Sequence, residues 1–206
     1  IKDYFASYYI KSIYYERNKN IKEKIEELTP LSKWEDVILI LVGIVDKETS
    51  NNIINILIKI NPFYAAKCFS MAQELSSITK DNLIKTLDDI GKSSRNDISK
   101  VIFALNDIGT DAVIEPLTNI LTNRCRDFIH FNLTINYISR INQVKAESIL
   151  INLLKSKDQT LLCNAIFAIG RLECNNVKNL LIDLIKVEKD PDVIYQVALS
   201  LGDLNA

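Results

Sequence analysis

Apolar positions recur at helical spacing through most of the chain, and residues 161–185 show the pattern most clearly. The first half of this segment places Ala165, Ala168 and Ile169 on one face. The second half also gathers its aliphatic side chains on one face: Leu180, Leu181, Leu184 and Ile185. Spacing of i, i+3 and i+4 is typical of amphipathic helices. A polar break at residues 173–176 separates the halves, so the segment predicts two antiparallel helices joined by a short turn.

The same unit recurs along the chain with a period of 31 to 33 residues. When the last apolar residue of each first helix is taken as an anchor, the position nine residues later is aliphatic in all five copies. Such self-similarity is the signature of a helical solenoid, in which each pair needs neighbours to bury its apolar face. The anchors are Ile44, Leu75, Ile108, Ile141, Leu172 and Leu204, and the predicted buried column is Ile53, Ile84, Leu117, Leu150 and Leu181.

Two further columns follow, twelve and thirteen residues after each anchor, and Asp88 is the one position in them that is not aliphatic. A buried carboxylate without a partner is costly. We therefore expect either that the helix frays into a flexible linker at residues 91–96, or that Lys92 or Arg95 pairs with Asp88.

Local signals predict where several helices begin. Asn61 and Asp190 each precede a proline, and this order predicts a capping side chain followed by proline at the first helical position. Ser32 with Glu35 three residues later predicts a capping box. A turn then separates that helix from its partner helix, which is predicted at residues 51–60.

Composition and charge narrow the fold class further. The chain has 5 Gly and 4 Pro among 206 residues, and it lacks the period-2 alternation of strands. These features predict an all-α protein. The formal net charge is −1, which argues against a general polyanion binder, because such proteins carry a basic stripe.

The repeated unit resembles the short class of HEAT-like repeats, which reads A-x-x-A-L-G-x-I and then A-x-x-x-L-x-x-L-L. The matching segments are VIFALNDIGTDAVIEPLTNIL at residues 101–121, NAIFAIGRLECNNVKNLLIDLI at 164–185 and VALSLGDL at 197–204. The resemblance implies a right-handed α-solenoid of antiparallel helix pairs, of the PBS-lyase type. It covers residues 31–206 as about five and a half repeats. We expect the array to be truncated at the C-terminus, because the last first helix has no partner helix after it.

A second resemblance involves the N-terminal 70 residues. The order YFASYYI, KWEDVILILVGIV and NPFYAAKCF resembles the stretch after the nucleotide-binding core of NACHT-type STAND ATPases. That stretch reads F-x-E-Y-F-A-A-x-Y-L, then W-x-E-V-I-L-L-x-A-G, then D-P-x-L-A-A-x-C. Asp3 and Ser7 stand where the family pattern has Glu and Ala. The matching residues are Asp3, Tyr4, Phe5, Ala6, Tyr9, Ile10, Trp34, Glu35, Val37, Ile38, Gly43, Asn61, Pro62, Ala65, Ala66 and Cys68.

This second resemblance implies that residues 1–30 are the end of an upstream NACHT-associated helical domain. Because the sequence starts with Ile1 rather than Met, we expect it to belong to a longer protein. Residues 1–16 predict a helix with an aromatic face, and residues 21–28 predict a short charged helix. We predict that the aromatic side chains pack in a core rather than bind a ligand: Tyr4, Phe5, Tyr8 and Tyr9.

The candidate binding residues lie on the second helices, on the faces away from the buried columns. In HEAT-like solenoids these helices line the concave surface, so the resemblance implies a polar ladder along that groove. Amides both donate and accept hydrogen bonds and suit peptide recognition; the alternative is an ordinary solvated helix face. The candidates are Asn51, Asn55, Asn82, Thr86, Glu115, Asn119, Ser148, Asn152, Lys155, Asn179, Asp183 and Lys186.

We therefore predict a protein-interaction scaffold that binds a protein or peptide. The resemblances imply the HEAT-repeat sensor or regulatory region of a prokaryotic NACHT-type STAND NTPase. The sequence has no GxxxxGK[ST] loop and no catalytic constellation, so we expect neither enzymatic activity nor a cofactor in this region. The alternative is a standalone HEAT-like adaptor or a nucleic-acid-binding solenoid, in which Lys155 and Lys186 would contact phosphates.

The four cysteines form no CxxC pair, and there is 1 His in the chain, so no zinc site is expected. Cys68 and Cys163 lie on apolar faces, and we predict small buried hydrophobes in a reducing, cytoplasmic environment. His130 is predicted to be a satisfied helix residue rather than a catalytic one. The longest apolar run, residues 37–45, is far too short for a membrane span, and no signal peptide is recognisable.

Overall fold

A computed structural model of the chain describes residues 1–15, 21–72, 74–94, 96–125 and 127–204. Within these ranges every regular element is helical and no strand is present, which confirms the predicted all-α class. The chain divides into two compact units, Ile1–Gly109 and Thr110–Ala206. Each unit has its own helices and its own core.

The described part of the first unit contains seven α-helices. A π-helical turn at Lys11–Tyr15 follows the first of them, and a 3₁₀ turn at Ser32–Trp34 precedes the third. The helices are α1 (Lys2–Ile10), α2 (Ile21–Leu28), α3 (Glu35–Ile44), α4 (Lys47–Ile60), α5 (Pro62–Phe69), α6 (Ser77–Ser93) and α7 (Ile98–Ile108).

These helices pack in two layers. In one layer α1 contacts α3, α3 contacts α5, and α5 contacts α7; in the other α2 contacts α4, and α4 contacts α6. Side-chain hydroxyl groups also link neighbouring helices of the first layer, because they donate hydrogen bonds to main-chain carbonyls of the next helix. Ser7 Oγ donates to the carbonyl of Val37 over 2.9 Å, and the Tyr64 hydroxyl donates to that of Glu35. The layer is therefore joined by specific polar contacts as well as by apolar packing.

The second unit is built from six α-helices within the described residues. Two of them are preceded by 3₁₀ turns, at Asp111–Val113 and Asn175–Val177. The helices are α8 (Ile114–Asn123), α9 (Phe128–Ile141), α10 (Gln143–Leu153), α11 (Gln159–Arg171), α12 (Lys178–Val187) and α13 (Pro191–Asp203).

In the second unit, α9, α11 and α13 pack side by side. The contact between α11 and α13 is close, because Gly170 faces Ser200: a Cβ built on Gly170 would lie 3.0 Å from Ser200 Cα. Ser200 Oγ also donates to the carbonyl of Ile166 over 2.8 Å. Of the helices between these three, α10 contacts α9 and α11, and α12 contacts α13.

The predicted column nine residues after each anchor is buried in all five copies, which confirms this part of the periodicity. Full burial of an aliphatic side chain is worth about 1.5–3 kcal/mol, so this column contributes a large share of each core. The other two columns are buried less completely. The column residues are Ile53, Ile84, Leu117, Leu150 and Leu181, and the half-buried positions of the other columns are Ile56, Leu154, Leu184 and Ile185.

Asp88 is half-buried in its aliphatic column, and Lys92 pairs with its Oδ2 one helical turn later. Its Oδ1 is buried and has no hydrogen-bond partner among the described residues. The prediction of this ion pair is confirmed, whereas the predicted fraying is wrong, because α6 continues to Ser93. The first three residues of the predicted linker GKSSRN, at 91–93, are accordingly the end of a helix. Arg95, the other predicted partner, lies outside the described residues.

Several helix boundaries differ from those predicted. The helix α4 begins at Lys47 rather than Asn51, because Asp46 Oδ1 accepts the Thr49 amide at 3.0 Å and caps the helix. The helix α5 ends at Phe69, so the anchor Leu75 lies beyond it. Ser32 makes no capping hydrogen bond, and the predicted capping box is wrong.

The aromatic side chains of α1 are exposed, which makes the prediction that they pack in a core wrong for the described structure. The buried residues of α1 are Ser7 and Ile10, so the face of α1 that packs in the unit does not carry the aromatic side chains. The rings therefore lie on the outer side and contact one another, with 4.7 Å between the ring centroids of Tyr4 and Tyr8. The exposed aromatic residues are Tyr4, Phe5, Tyr8 and Tyr9, with 43% to 68% of their surface accessible.

Candidate interaction surface

In the first unit, two candidate residues bind the protein's own backbone and side chains. Asn51 Oδ1 accepts the amide of Ser76 at 2.9 Å, and its Nδ2 donates to the Lys47 carbonyl at 2.6 Å. Asn55 Nδ2 donates to Thr79 Oγ1 at 3.2 Å. These bonds join α4 to the start of α6, so both side chains have a structural role.

The other two candidates of the first unit, Asn82 and Thr86, lie one helical turn apart on α6. Thr86 Oγ1 donates to the main-chain carbonyl of Asn82 at 2.8 Å, an ordinary bond within a helix. Asn82 is exposed. Thr86 is half-buried, and neither side chain lines either of the two clefts of the second unit.

In the second unit, five of the candidates line two clefts, one on each side of α10: Glu115, Asn119, Ser148, Lys155 and Asp183. Asn152 and Lys186 line neither cleft. The first cleft, between α8 and α10, encloses about 440 Å³. Its lining combines charged and hydroxyl groups with apolar groups, and it is called the mixed cleft below. An ion pair crosses it, with 3.5 Å between Lys145 Nζ and Asp111 Oδ2. Its lining residues are Asp111, Ala112, Ile114, Glu115, Thr118, Asn119, Lys145, Ser148 and Ile149.

The second cleft, between α10 and α12, is called the apolar cleft below. It encloses about 470 Å³, and aliphatic side chains make up most of its lining. Two charged residues lie among them, Lys155 from the turn after α10 and Asp183 from α12. Asp183 accepts a hydrogen bond from Lys186 at 2.8 Å. The lining residues are Ile151, Leu154, Lys155, Leu180, Asp183, Leu184 and Val187.

Between the two clefts lies a set of exposed polar residues, Ser148 and Asn152 on α10 and Lys155 in the turn that follows it, called the α10 stripe below. Ser148 and Asn152 are related as i and i+4 and therefore lie on one side of the helix. Ser148 lines the mixed cleft and Lys155 the apolar cleft. Asn179 is exposed on α12 and lines neither cleft.

Sequence reasoning missed the apolar component of this surface. The sequence spacing predicts Leu180 on the packed face of its helix, but 45% of its surface is exposed. Val187 is 74% exposed and lies outside every predicted column. The sequence did contain a signal for this surface: α12 carries more aliphatic residues than one buried helix face requires.

Other groups with chemical potential serve the fold. His130 Nδ1 lies 2.7 Å from Asp127 Oδ2, and Asp127 Oδ1 accepts the His130 amide at 2.9 Å, capping α9. Partial burial acts to raise the pKa of Asp127, but the hydrogen bonds from His130 outweigh it and lower that pKa. The prediction of a satisfied helix histidine is confirmed.

The cysteines are unpaired, and the predicted burial holds for three of them but not for Cys163: the buried ones are Cys68, Cys125 and Cys174. Burial raises the pKa of the Cys68 thiol to about 12 and that of Cys125 to about 11. Cys163 is half-buried. Among the described residues, no group of three or more His, Cys, Asp or Glu side chains is arranged to hold a metal ion.

None of the helices within the described ranges combines the length and apolar character needed to cross a membrane. A comparison with models of protein families gives no match to this chain. A comparison with curated proteins gives no match either.

Proposed function

We propose that this chain is a protein-interaction scaffold that binds a protein or peptide through the second helices of its second unit. The observation that carries this proposal is the pair of clefts on either side of the α10 stripe. The mixed cleft presents charged and hydroxyl groups together with apolar ones, and the lining of the apolar cleft is mostly aliphatic. A polypeptide ligand carries both kinds of group along its length, and clefts between helices are common ligand sites.

The architecture proposed for this scaffold is a right-handed α-solenoid of antiparallel, HEAT-like helix pairs. The layered packing within each unit supports it, because alternate helices contact one another in chain order. The burial of the five-residue column at the repeat period supports it as well. In such an array the second helices line one continuous face, which gives a partner an extended surface.

The protein context proposed for the scaffold is the sensor or regulatory region of a prokaryotic NACHT-type STAND NTPase. The order of the N-terminal motifs supports this context. The open reading frame tests the context: a P-loop encoded upstream of Ile1 supports it, and an upstream region without one rejects it.

A protein or peptide partner is favoured over nucleic acid because of the charges at the surface. Of the two lysines that would contact phosphates, Lys186 pairs with Asp183. Glu115 and Asp111 line the neighbouring cleft. Nucleic-acid grooves need several unpaired cations that release counterions on binding, and this surface does not supply them.

Selection of peptides tests the interaction function directly. A random dodecapeptide library displayed on phage is selected against the chain and then against Asn152→Arg, which puts a long cation in the middle of the α10 stripe. The matched control is Asn136→Arg, because Asn136 is an exposed asparagine on α9 of the same unit. We expect Asn152→Arg to weaken the selected peptides about tenfold, or 1.4 kcal/mol, and Asn136→Arg to leave them unchanged. Absence of enrichment, or equal effects of the two variants, would reject the proposal.

A further inference from the structure

We propose that the apolar cleft binds an aliphatic or aromatic side chain of a peptide ligand whose neighbouring residue is acidic and pairs with Lys155. This inference names the ligand class for the interaction surface proposed above and rests on that function.

The shape of the cleft favours a side chain of a polypeptide over a free small molecule. Its volume of about 470 Å³ has room for one or two large apolar side chains. However, Leu180 and Val187 at its rim are 45% and 74% exposed, so the cleft is open along one side. Sites for small molecules usually enclose most of the ligand's surface. An open cleft instead contacts one side of a ligand side chain, and the rest of the peptide holds that side chain in place.

The apolar residues of the cleft are surplus to the core of the unit. Leu180, Leu184 and Val187 are spaced i, i+4 and i+7 and form one stripe along α12. The fully buried residue of this helix is Leu181, which points in a different direction from the stripe. Exposed aliphatic groups that are gathered in one place, rather than scattered, mark surfaces that bind a partner.

The charges around the cleft define the second feature of the ligand. Asp183 is already paired with Lys186. Among the described residues, no carboxylate lies within ion-pair distance of Lys155 Nζ. The rim therefore presents one uncompensated positive charge next to an aliphatic floor. A carboxylate beside the inserted side chain would therefore complement the charge of the cleft.

The test uses the same peptide library on two pairs of variants. Val187→Asp puts a carboxylate at the rim of the cleft, and its control is Val144→Asp. Val144 is 76% exposed on α10 and lines neither cleft, so the controls match in residue type and exposure. Lys155→Glu reverses the free charge, and its control is Lys157→Glu, at an exposed lysine outside the lining.

Peptides selected on the parent chain are expected to carry a large apolar residue beside Asp or Glu. Their affinity should fall at least about tenfold on Val187→Asp and remain unchanged on Val144→Asp. On Lys155→Glu the selected peptides should keep the apolar residue and exchange its acidic neighbour for Lys or Arg, while Lys157→Glu should select the same peptides as the parent.

Other outcomes overturn the inference in distinguishable ways. If Asn152→Arg abolishes binding but Val187→Asp does not, the interaction function stands and the cleft is not its binding site. If the selected peptides bind the cleft without an acidic residue, the charge argument is wrong. If the chain enriches no peptide, the inference and the proposed function both fail. If sedimentation shows self-association that Val187→Asp abolishes, the cleft binds a second copy of this chain and the peptide inference is rejected.

Discussion

Two helices approach closely only where the residues between them are small, and α11 and α13 meet at such a place. Gly170 lies against Ser200, whose hydroxyl is buried and donates to the carbonyl of Ile166. A buried hydroxyl without an acceptor would cost about 1–3 kcal/mol, so the close approach and the hydrogen bond depend on each other. The small side chains at Gly170 and Ser200 therefore allow α11 and α13 to pack closely.

Gly170→Ala should destabilise the protein by about 1–3 kcal/mol, because the new methyl group would meet the main chain of α13. Gly202→Ala is the control, since a Cβ at Gly202 has no other atom within 4 Å. An alanine in an exposed helical position is neutral or stabilising by up to about 1 kcal/mol. Chemical denaturation of both variants measures the difference, and equal stabilities would show that α11 and α13 are not in close contact.

Burial of Cys68 makes a prediction about alkaline pH. The pKa of this thiol is raised to about 12 in the folded chain, against about 8.5 in an unfolded one. The stability that the buried neutral thiol contributes is present below about pH 8.5 and is lost as the pH rises towards 12. From pH 8 to 10, the free energy of unfolding should therefore fall by about 1–2 kcal/mol more in the parent than in Cys68→Ala. Parallel pH profiles from urea denaturation would contradict this account.

At the scale of the helix, local sequence signals predicted some boundaries and missed others. The caps at Asn61 and Asp190 are confirmed, because the asparagine or aspartate side chain bonds to amides two or three residues later. Ser32 carries a different signal, the capping box with Glu35, yet a 3₁₀ turn begins at Ser32 and α3 starts after Trp34 without a side-chain cap. The bond from Asn51 to Ser76 joins residues far apart in the sequence, and no local pattern predicts it.

The caps at the start of α3 and α4 can be compared by mutation. Asp46→Ala should cost about 1 kcal/mol, because it removes the acceptor of the Thr49 amide. Ser32→Ala should change the stability by no more than about 0.5 kcal/mol, as at other surface positions. Thermal or chemical unfolding of the two variants measures both effects and shows whether Ser32 contributes a cap to α3 as Asp46 does to α4. A larger loss for Ser32→Ala would favour the capping box.

At the scale of the whole molecule, periodicity predicted the all-α class and the buried column, because both follow from side-chain spacing along single helices. The candidate site was harder to predict. A ladder of polar positions identified the α10 stripe, but it also included Asn51 and Asn55, whose side chains hold α4 against α6. The predicted ladder omitted Leu180 and Val187. The spacing of aliphatic residues along one helix does not show which of them stay exposed after the helices pack. The overall charge of −1 gives no sign of the uncompensated Lys155.

The measurement that tests the central claim most directly is amide hydrogen exchange of the chain with and without a selected peptide. Binding on the second helices of the second unit predicts slower exchange at Gln143–Leu153 and Lys178–Val187, because a bound peptide limits local opening there. Exchange in α9 and α13 should remain unchanged. Protection confined to α9 and α13, or to the first unit, would contradict the assignment of the interaction surface.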